Sequence, residues 1–264
     1  MAECCAAPCE APPGHGAHAA QAPAEEQEGP DEDILLNIFT DYKEVAVEYE
    51  AVDGTPIRQS VLGWSQGACQ TVWSEALPRT IAFNLACLSG RRVLELGAGC
   101  GLLGLVAAHS AAEVVLTDGD EEEAALLRVN AAQHGPPGGA RVSGAHLDWG
   151  LEPAEAAAEA MGGRGSFDVI LGSQICHNPK YIRECVETIS FFLAPDGEAF
   201  IFNDRASLMS SREVCRGILD ASIRELGLQA QDALLPDGPL VPPAGVREEL
   251  ALREGAYLLR ITRA

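Results

Sequence analysis

The period of apolar and polar positions changes several times along the chain, and each change predicts an element. The stretch YKEVAVEYEAVDGTPIRQSVLG alternates on both sides of Asp53-Gly54, which predicts two antiparallel strands joined by a turn. TVWSEALPRTIAFNLACL carries apolar residues at helical spacing, and Pro78 inside it predicts a kink or an internal start. From Arg91 onward strands and helices alternate. RRVLEL is a short apolar strand, GAGCG a glycine turn, LLGLVAAHSA a helix and EVVLTD a second strand. EEEAALLRVNAAQHG is the next helix, with its acids at the end where the helix dipole favours them. After the GPPGG break, ARVSGAHLDWG reads as a third strand. FDVILGS reads as a fourth, almost wholly apolar as befits a strand covered on both faces. YIRECVETISFFLA is a helix whose start Asn178-Pro179 marks, and GEAFIFND is a fifth strand. SSREVCRGILDASIRELG is another helix. LQAQDALL and GAYLLRITRA are two last strands with no long helix between them, which predicts a hairpin edge. Alternation of this kind is the mark of a doubly wound, mostly parallel sheet, here of seven strands behind an N-terminal hairpin.

Composition adds a tail to this picture. Residues 1–30 are Ala, Pro, Gly and Glu with almost no large apolar groups, too little to offset ordering entropy, so they are expected to be disordered. Structure is expected from near Ile34, giving one domain over 31–264. No apolar run approaches the roughly 18 residues of a membrane span. MAECCAAPCE lacks the basic and apolar regions of a secretory signal, and its acids oppose a transit peptide, so a cytoplasmic protein is expected, with the nucleus open to it. The nine cysteines are irregularly spaced and read as reduced thiols. Cys4, Cys5 and Cys9 with His15 and His18 match no zinc spacing, and no metal is expected.

The net charge is −21, and residues 1–42 hold nine acids and no base, leaving −12 on the remainder. Such a chain has no basic footprint for a phosphate backbone, so nucleic acid is not an expected partner. The acidic surface suits a basic protein, and it equally serves solubility.

The candidate chemistry begins at the glycine turn. Gly97, Gly99 and Gly101 let backbone approach a ligand, and Asp118 closes the second strand where a carboxylate can accept both hydroxyls of a ribose. A dinucleotide fingerprint, G-x-G-x-x-G, exists only as Gly99/Gly101/Gly104 and begins two residues late. The better parse is E-x-G-x-G-x-G, from Glu95 to Gly101. An anion at Glu95 is poorly matched to pyrophosphate and well matched to a cationic amino-acid moiety. S-adenosylmethionine is therefore favoured over NAD or FAD.

VLELGAGCGLLGLVAA, LTDG, LLRVNAAQHG, LDWG and FDVILGS together resemble the class I, seven-stranded, Rossmann-like methyltransferases. The TVW and LDWG segments narrow the resemblance to the eukaryotic methyltransferase-like protein-lysine methyltransferases, over about residues 60–205. The resemblance implies S-adenosylmethionine as cofactor and a protein substrate, methylated most simply on lysine, with no nucleic acid, membrane or obligate second copy. It places Trp73 at the cofactor's amino-acid end, with core packing as the alternative. Glu95, Gly97, Gly99 and Gly101 would cradle methionine and ribose, Asp118 the ribose, and Asp148-Trp149 the adenine. Ser173 would line the pocket.

The chain departs from the family at the end of the fourth strand. Where the lysine enzymes carry Asp-x-x-Tyr, this sequence has QICH, so Gln174 and His177 take the catalytic positions. Gln174 keeps hydrogen-bonding capacity without charge, and His177 keeps a ring that can titrate near neutral pH. This fits a different acceptor, the same acceptor held differently, or a site that binds S-adenosylmethionine without turnover. Asn178-Pro179-Lys180-Tyr181 is similar to the N-P-P-Y motif of amide and adenine methyltransferases, but it stands too far along the chain from the strand. The rival activities are a small-molecule methyltransferase, a non-catalytic cofactor-binding protein and an NAD-dependent oxidoreductase, the last without any hydride-transfer relay to support it.

Overall fold

The structure is a computed structural model that describes residues 42–64, 74–136, 139–204, 210–233, 240–253 and 255–264. The tail over 1–30, the onset near Ile34 and Trp73 lie outside the described residues. The predicted hairpin is present. Strand β1 (Tyr42–Glu50) pairs antiparallel with β2 (Pro56–Trp64) along their full length. At the turn Asp53 Oδ1 accepts from the Thr55 amide at 3.0 Å, and Gly54 sits at φ +83°, where an L side chain would be strained. Alternation turns Tyr49, Ile57 and Val61 into the core.

Helix α1 (Ala76–Phe83) starts inside the predicted stretch, so Pro78 falls in the first turn, where its missing amide hydrogen leaves nothing unpaired. Strand β3 (Arg92–Leu96), helix α2 (Leu102–Ala107), β4 (Glu113–Asp118), α3 (Glu121–His134) and β5 (Arg141–His146) follow in the expected order. Asp120 caps α3 by accepting from the Glu122 and Glu123 amides, and acids fill that first turn. Then come α4 (Leu151–Ala157), β6 (Phe167–Ser173), α5 (Ile182–Phe192), β7 (Leu193–Asn203), α6 (Arg212–Glu225), β8 (Leu228–Asp232), α7 (Ala244–Ala251) and β9 (Tyr257–Arg263).

Seven strands form one sheet in the order β5-β4-β3-β6-β7-β9-β8, parallel except for β9, which runs antiparallel to both its neighbours. The fold is the expected Rossmann-like sheet with its hairpin extension. Chain order reverses between β3 and β6, and the carboxyl ends of these strands form the edge where such sheets bind ligands.

One apolar layer joins the hairpin, α1, α2 and α7 to one face of the sheet, through residues such as Val61, Ile81, Leu105, Phe202 and Val246. The other joins α4, α5 and α6 to the opposite face through Ala154, Ile189, Leu219 and Ile201.

Four boundaries differ from the sequence reading. The third strand stops at His146, and Gly150 opens α4, an Ala-Glu helix too short and polar to show a period. Helix α7 lies between the last two strands, which still pair as the expected antiparallel edge. β7 begins at Leu193, so it takes in Leu193 and Ala194, which read as the end of the preceding helix, and Pro195-Asp196 ahead of the predicted strand. Helix α5 begins at Ile182 because Asn178 Oδ1 takes the Lys180 amide at 3.1 Å in a local turn first.

Candidate active site

The glycine loop after β3 has the backbone that its composition predicts. Gly97, Gly99 and Gly101 all lie at positive φ. A Cβ on Gly97 would come within 2.8 Å of Ile175 and 3.2 Å of Trp149, whereas one on Gly99 would meet nothing within 4 Å. The loop thus closes over a packed floor and opens at Gly99.

Asp118, at the end of β4, braces this opening. Its Oδ2 accepts from the Gly99 amide at 3.0 Å and its Oδ1 from the Asp120 amide at 3.2 Å. A carboxylate has about four lone-pair positions, so it retains capacity for two ligand hydroxyls.

Glu95 is fully buried, and Oε2 accepts from the Gly104 amide at 2.7 Å in the first turn of α2. Burial pushes its carboxyl up to about 8, against the lowering from that amide, and the nearby Asp118 charge adds to the rise. Gly104 is the glycine that makes this possible. A Cβ there would lie 2.2 Å from Leu116 and 2.6 Å from Glu95 Oε2.

Beyond β5, Trp149 packs into the α4–α5 layer, and its indole Nε1 is buried without a hydrogen-bond partner among the described residues. Asp148 is exposed, with Oδ1 beside Gly119 at the end of β4. Glu95, the three glycines, Asp118, Asp148 and Trp149 are therefore brought to one side of the switch point. Trp73 lies outside the described residues.

Ser173 ends β6 half-buried on the same edge. Gln174 then takes φ +62°, the one described residue other than glycine with positive φ. Such a conformation costs about 1–3 kcal/mol and persists where its surroundings over-determine it. Here the Gln174 amide donates to the Phe202 carbonyl at 2.7 Å and its side-chain Nε2 to Asp204 Oδ1 at 2.7 Å, while Oε1 accepts from the Asp204 amide at 3.2 Å. The twist drives Ile175 back across Gly97. His177 stands exposed at the rim, with Nδ1 and the Gln174 carbonyl 2.7 Å apart. A carbonyl only accepts, so Nδ1 carries the hydrogen of this bond. Gln174 and His177 thus share a backbone turn, but their side chains diverge. Gln174 is buried against Asp204, and His177 borders a shallow cavity with Arg212, Cys215 and Tyr257 on the other face.

Sequence reasoning missed Asp204, which follows β7 with its side chain entirely buried. Its signal was present in kind: like Asp118, it is a carboxylate directly after an apolar strand. Ser74 Oγ donates to Asp204 Oδ2 at 3.1 Å, and the guanidinium of Arg253 pairs with the same oxygen.

The family model described as lysine methyltransferase matches residues 55–212, well over half of the sequence. The chain belongs to the lysine methyltransferase family. It is 31% identical over 137 residues to a protein N-lysine methyltransferase METTL21A of Danio rerio, covering 49% of this chain and 58% of that one. It is 29% identical over 140 residues to the EEF1A lysine methyltransferase 3 of Mus musculus, covering 51% and 55%. A ubiquinone biosynthesis O-methyltransferase of Sinorhizobium fredii is 30% identical over 114 residues, covering 43% and 41%. The chain thus spans about half the length of the curated relatives it matches.

S-adenosylmethionine is the cofactor implied by the family, and the residues present fit it. The opening at Gly99, the spare lone pairs of Asp118, the unpartnered Trp149 Nε1 and the buried acid Glu95 offer complements to a nucleoside bearing a cationic amino acid.

Proposed function

We propose that this protein transfers a methyl group from S-adenosylmethionine to a lysine side chain of a protein substrate. The observation that carries the reading is the Asp118 carboxylate held by the Gly99 amide at 3.0 Å beside the open glycine loop, at the sheet's switch point. The lysine acceptor is supported by the description of the family and by the activities for which the zebrafish and mouse relatives are named.

When bound, the cofactor supplies a sulfonium methyl that passes in line to a neutral amine, the nitrogen lone pair forming the N–C bond while the C–S pair stays on sulfur. The chain's own residues have three tasks. Glu95 and Asp118 fix the donor end through charge and hydroxyl acceptance. Gln174 and Ser173, at the end of β6, shape the acceptor side and exclude water. The acceptor ammonium must shed a proton before its nitrogen can attack, and His177, exposed at the rim beyond the Gln174 turn, relays that proton to solvent. The net charge of −21 supports a basic protein as substrate.

Incubating the purified protein with methyl-labelled S-adenosylmethionine and a proteome extract tests this. A discrete labelled band that Asp118→Ala abolishes is the expected result. No band, together with calorimetric binding of the cofactor, would refute protein methylation. Label found instead in a small-molecule fraction would favour the reading that the O-methyltransferase relative represents.

A further inference from the structure

The acceptor end of the sheet carries an acid that no residue of the glycine loop needs. Alternation along β7 places Phe200 and Phe202 in the layer with the hairpin and α1, so Asp204 falls on that face and Asn203 on the other. Asp204 is entirely buried. An isolated buried carboxylate is expensive, so its partners define its purpose. Two partners of the carboxylate are neutral, the Gln174 amide at 2.7 Å and the Ser74 hydroxyl at 3.1 Å, while the Arg212 guanidinium donates to the Asp204 backbone carbonyl at 3.1 Å. Among the described residues, the charged side chain paired with the carboxylate is Arg253. That residue comes from the turn after α7, is 39% exposed along its side chain, and is shared with Glu249.

This is an unusual distribution. The acid is built into the carboxyl edge of the sheet, two strands from the glycine loop. Its neutralising cation is borrowed from a solvent-exposed turn and already has a second acid to return to. A guanidinium and an alkylammonium compete for the same oxygen. We propose that Asp204 is the acceptor-binding carboxylate of this enzyme, receiving a primary alkylammonium such as a lysine side chain, and that Arg253 occupies the site until the acceptor displaces it toward Glu249. On this view the charge absent from position 174 is supplied by the neighbouring strand, and Gln174 is the positioning residue that aims it. The proposal rests on the reading of the protein as a lysine methyltransferase and names how the acceptor is held.

The test uses isosteric changes in the full chain, loaded with S-adenosylhomocysteine for binding and with labelled S-adenosylmethionine for transfer. The binding probe is n-butylammonium, followed by NMR titration. Asp204→Asn is expected to weaken n-butylammonium binding about tenfold or more and to cut labelling of extract proteins about 100-fold, with S-adenosylhomocysteine affinity unchanged within twofold. The double variant Gln174→Glu with Asp204→Asn moves the charge back across the same hydrogen bond, and it should restore labelling to within about tenfold of the original. Arg253→Gln should tighten n-butylammonium binding about threefold or more by removing the competitor. Stability falls in Asp204→Asn and Arg253→Gln on any reading, so thermal unfolding does not decide the matter and the binding and rescue data do.

Labelling by Asp204→Asn equal to the unmodified protein would overturn the proposal. So would a double variant that binds S-adenosylhomocysteine normally and still fails to transfer. If the unmodified protein labels nothing, the methyltransferase reading fails by itself. The n-butylammonium titrations then still judge Asp204, for or against, without any turnover.

Discussion

The two halves of the site are built from different materials. On the β3–β4 side, backbone makes the surface: three glycines at positive φ, with the Gly99 amide fixed by Asp118 and the Gly104 amide just beyond them by Glu95. On the β6–β7 side, side chains make it: Ser74, Gln174, Asp204 and Arg253 meet from four separate stretches of chain. A backbone surface depends on the absence of side chains and fails by obstruction. A side-chain surface depends on particular groups and fails by loss of charge or aim. Substitutions in the first half should therefore move folding and cofactor affinity together, and those in the second should move acceptor chemistry at constant cofactor affinity.

The largest expected effect is at Gly104. Gly104→Ala puts a methyl 2.2 Å from Leu116 and 2.6 Å from the Glu95 carboxylate, so overpacking should destabilise the fold by about 3 kcal/mol in denaturant unfolding. A loss below about 0.5 kcal/mol would show that the loop tolerates side chains, and the contrast between the halves would collapse. Next, Asp118→Ala removes the loop brace at 3.0 Å and, with it, the acceptor here proposed for the ribose. Cofactor affinity should fall about 100-fold by calorimetry, as expected when charge-assisted bonds are lost.

Glu95 sharpens the comparison through protons. Burial holds its carboxyl near 8, well above the ordinary carboxylate range, so the folded protein without ligand disfavours the charged form. Its contribution to stability is complete below the unfolded value of about 4.3 and is lost as pH rises through the folded value. A ligand ammonium reverses this by favouring the carboxylate. Binding at pH 6.5 should release close to one proton, measured by calorimetry in buffers of different ionisation enthalpy, and affinity should rise about tenfold from pH 5.5 to 6.5. Glu95→Gln should abolish both. Proton uptake instead of release would mean that Glu95 faces no cation.

The smallest effect belongs to the rim. His177→Ala should slow transfer about fivefold at neutral pH, less than a buried general base would supply, because solvent can take the proton in its place. Its cofactor affinity should match that of the unmodified protein. A large drop in affinity would join the two halves into one.

The same division explains what could be read from the sequence. Gly97, Gly99, Gly101 and Asp118 were legible because a positive φ and a strand-end carboxylate leave local signatures, and Asp53-Gly54 marked its hairpin for the same reason. The Asp204 cluster was not, since Ser74 and Arg253 approach it only through the packing of α1 and α7 on the sheet. Gln174 was found by position, yet its left-handed backbone leaves no trace in QICH. That backbone turns its amide inward to Asp204 while His177 stays at the rim. Helices α4 and α7 were missed because LEPAEAA and AGVREELA hold too few large apolar residues to establish a period.

Asn130 offers a last consequence. Its buried side chain accepts from the Leu62 amide at 2.8 Å and donates to the carbonyls of Leu62 at 2.9 Å and Cys100 at 2.8 Å. One amide group thereby rivets the second strand of the hairpin to the glycine loop. In the time domain this makes the hairpin a reporter. Whatever loosens β2 frees the loop at Cys100, and whatever fills the loop slows the opening of β2. The exchange of the Leu62 amide hydrogen with solvent should accordingly slow when the cofactor site is occupied, although that hydrogen belongs to the hairpin, outside the cradle itself.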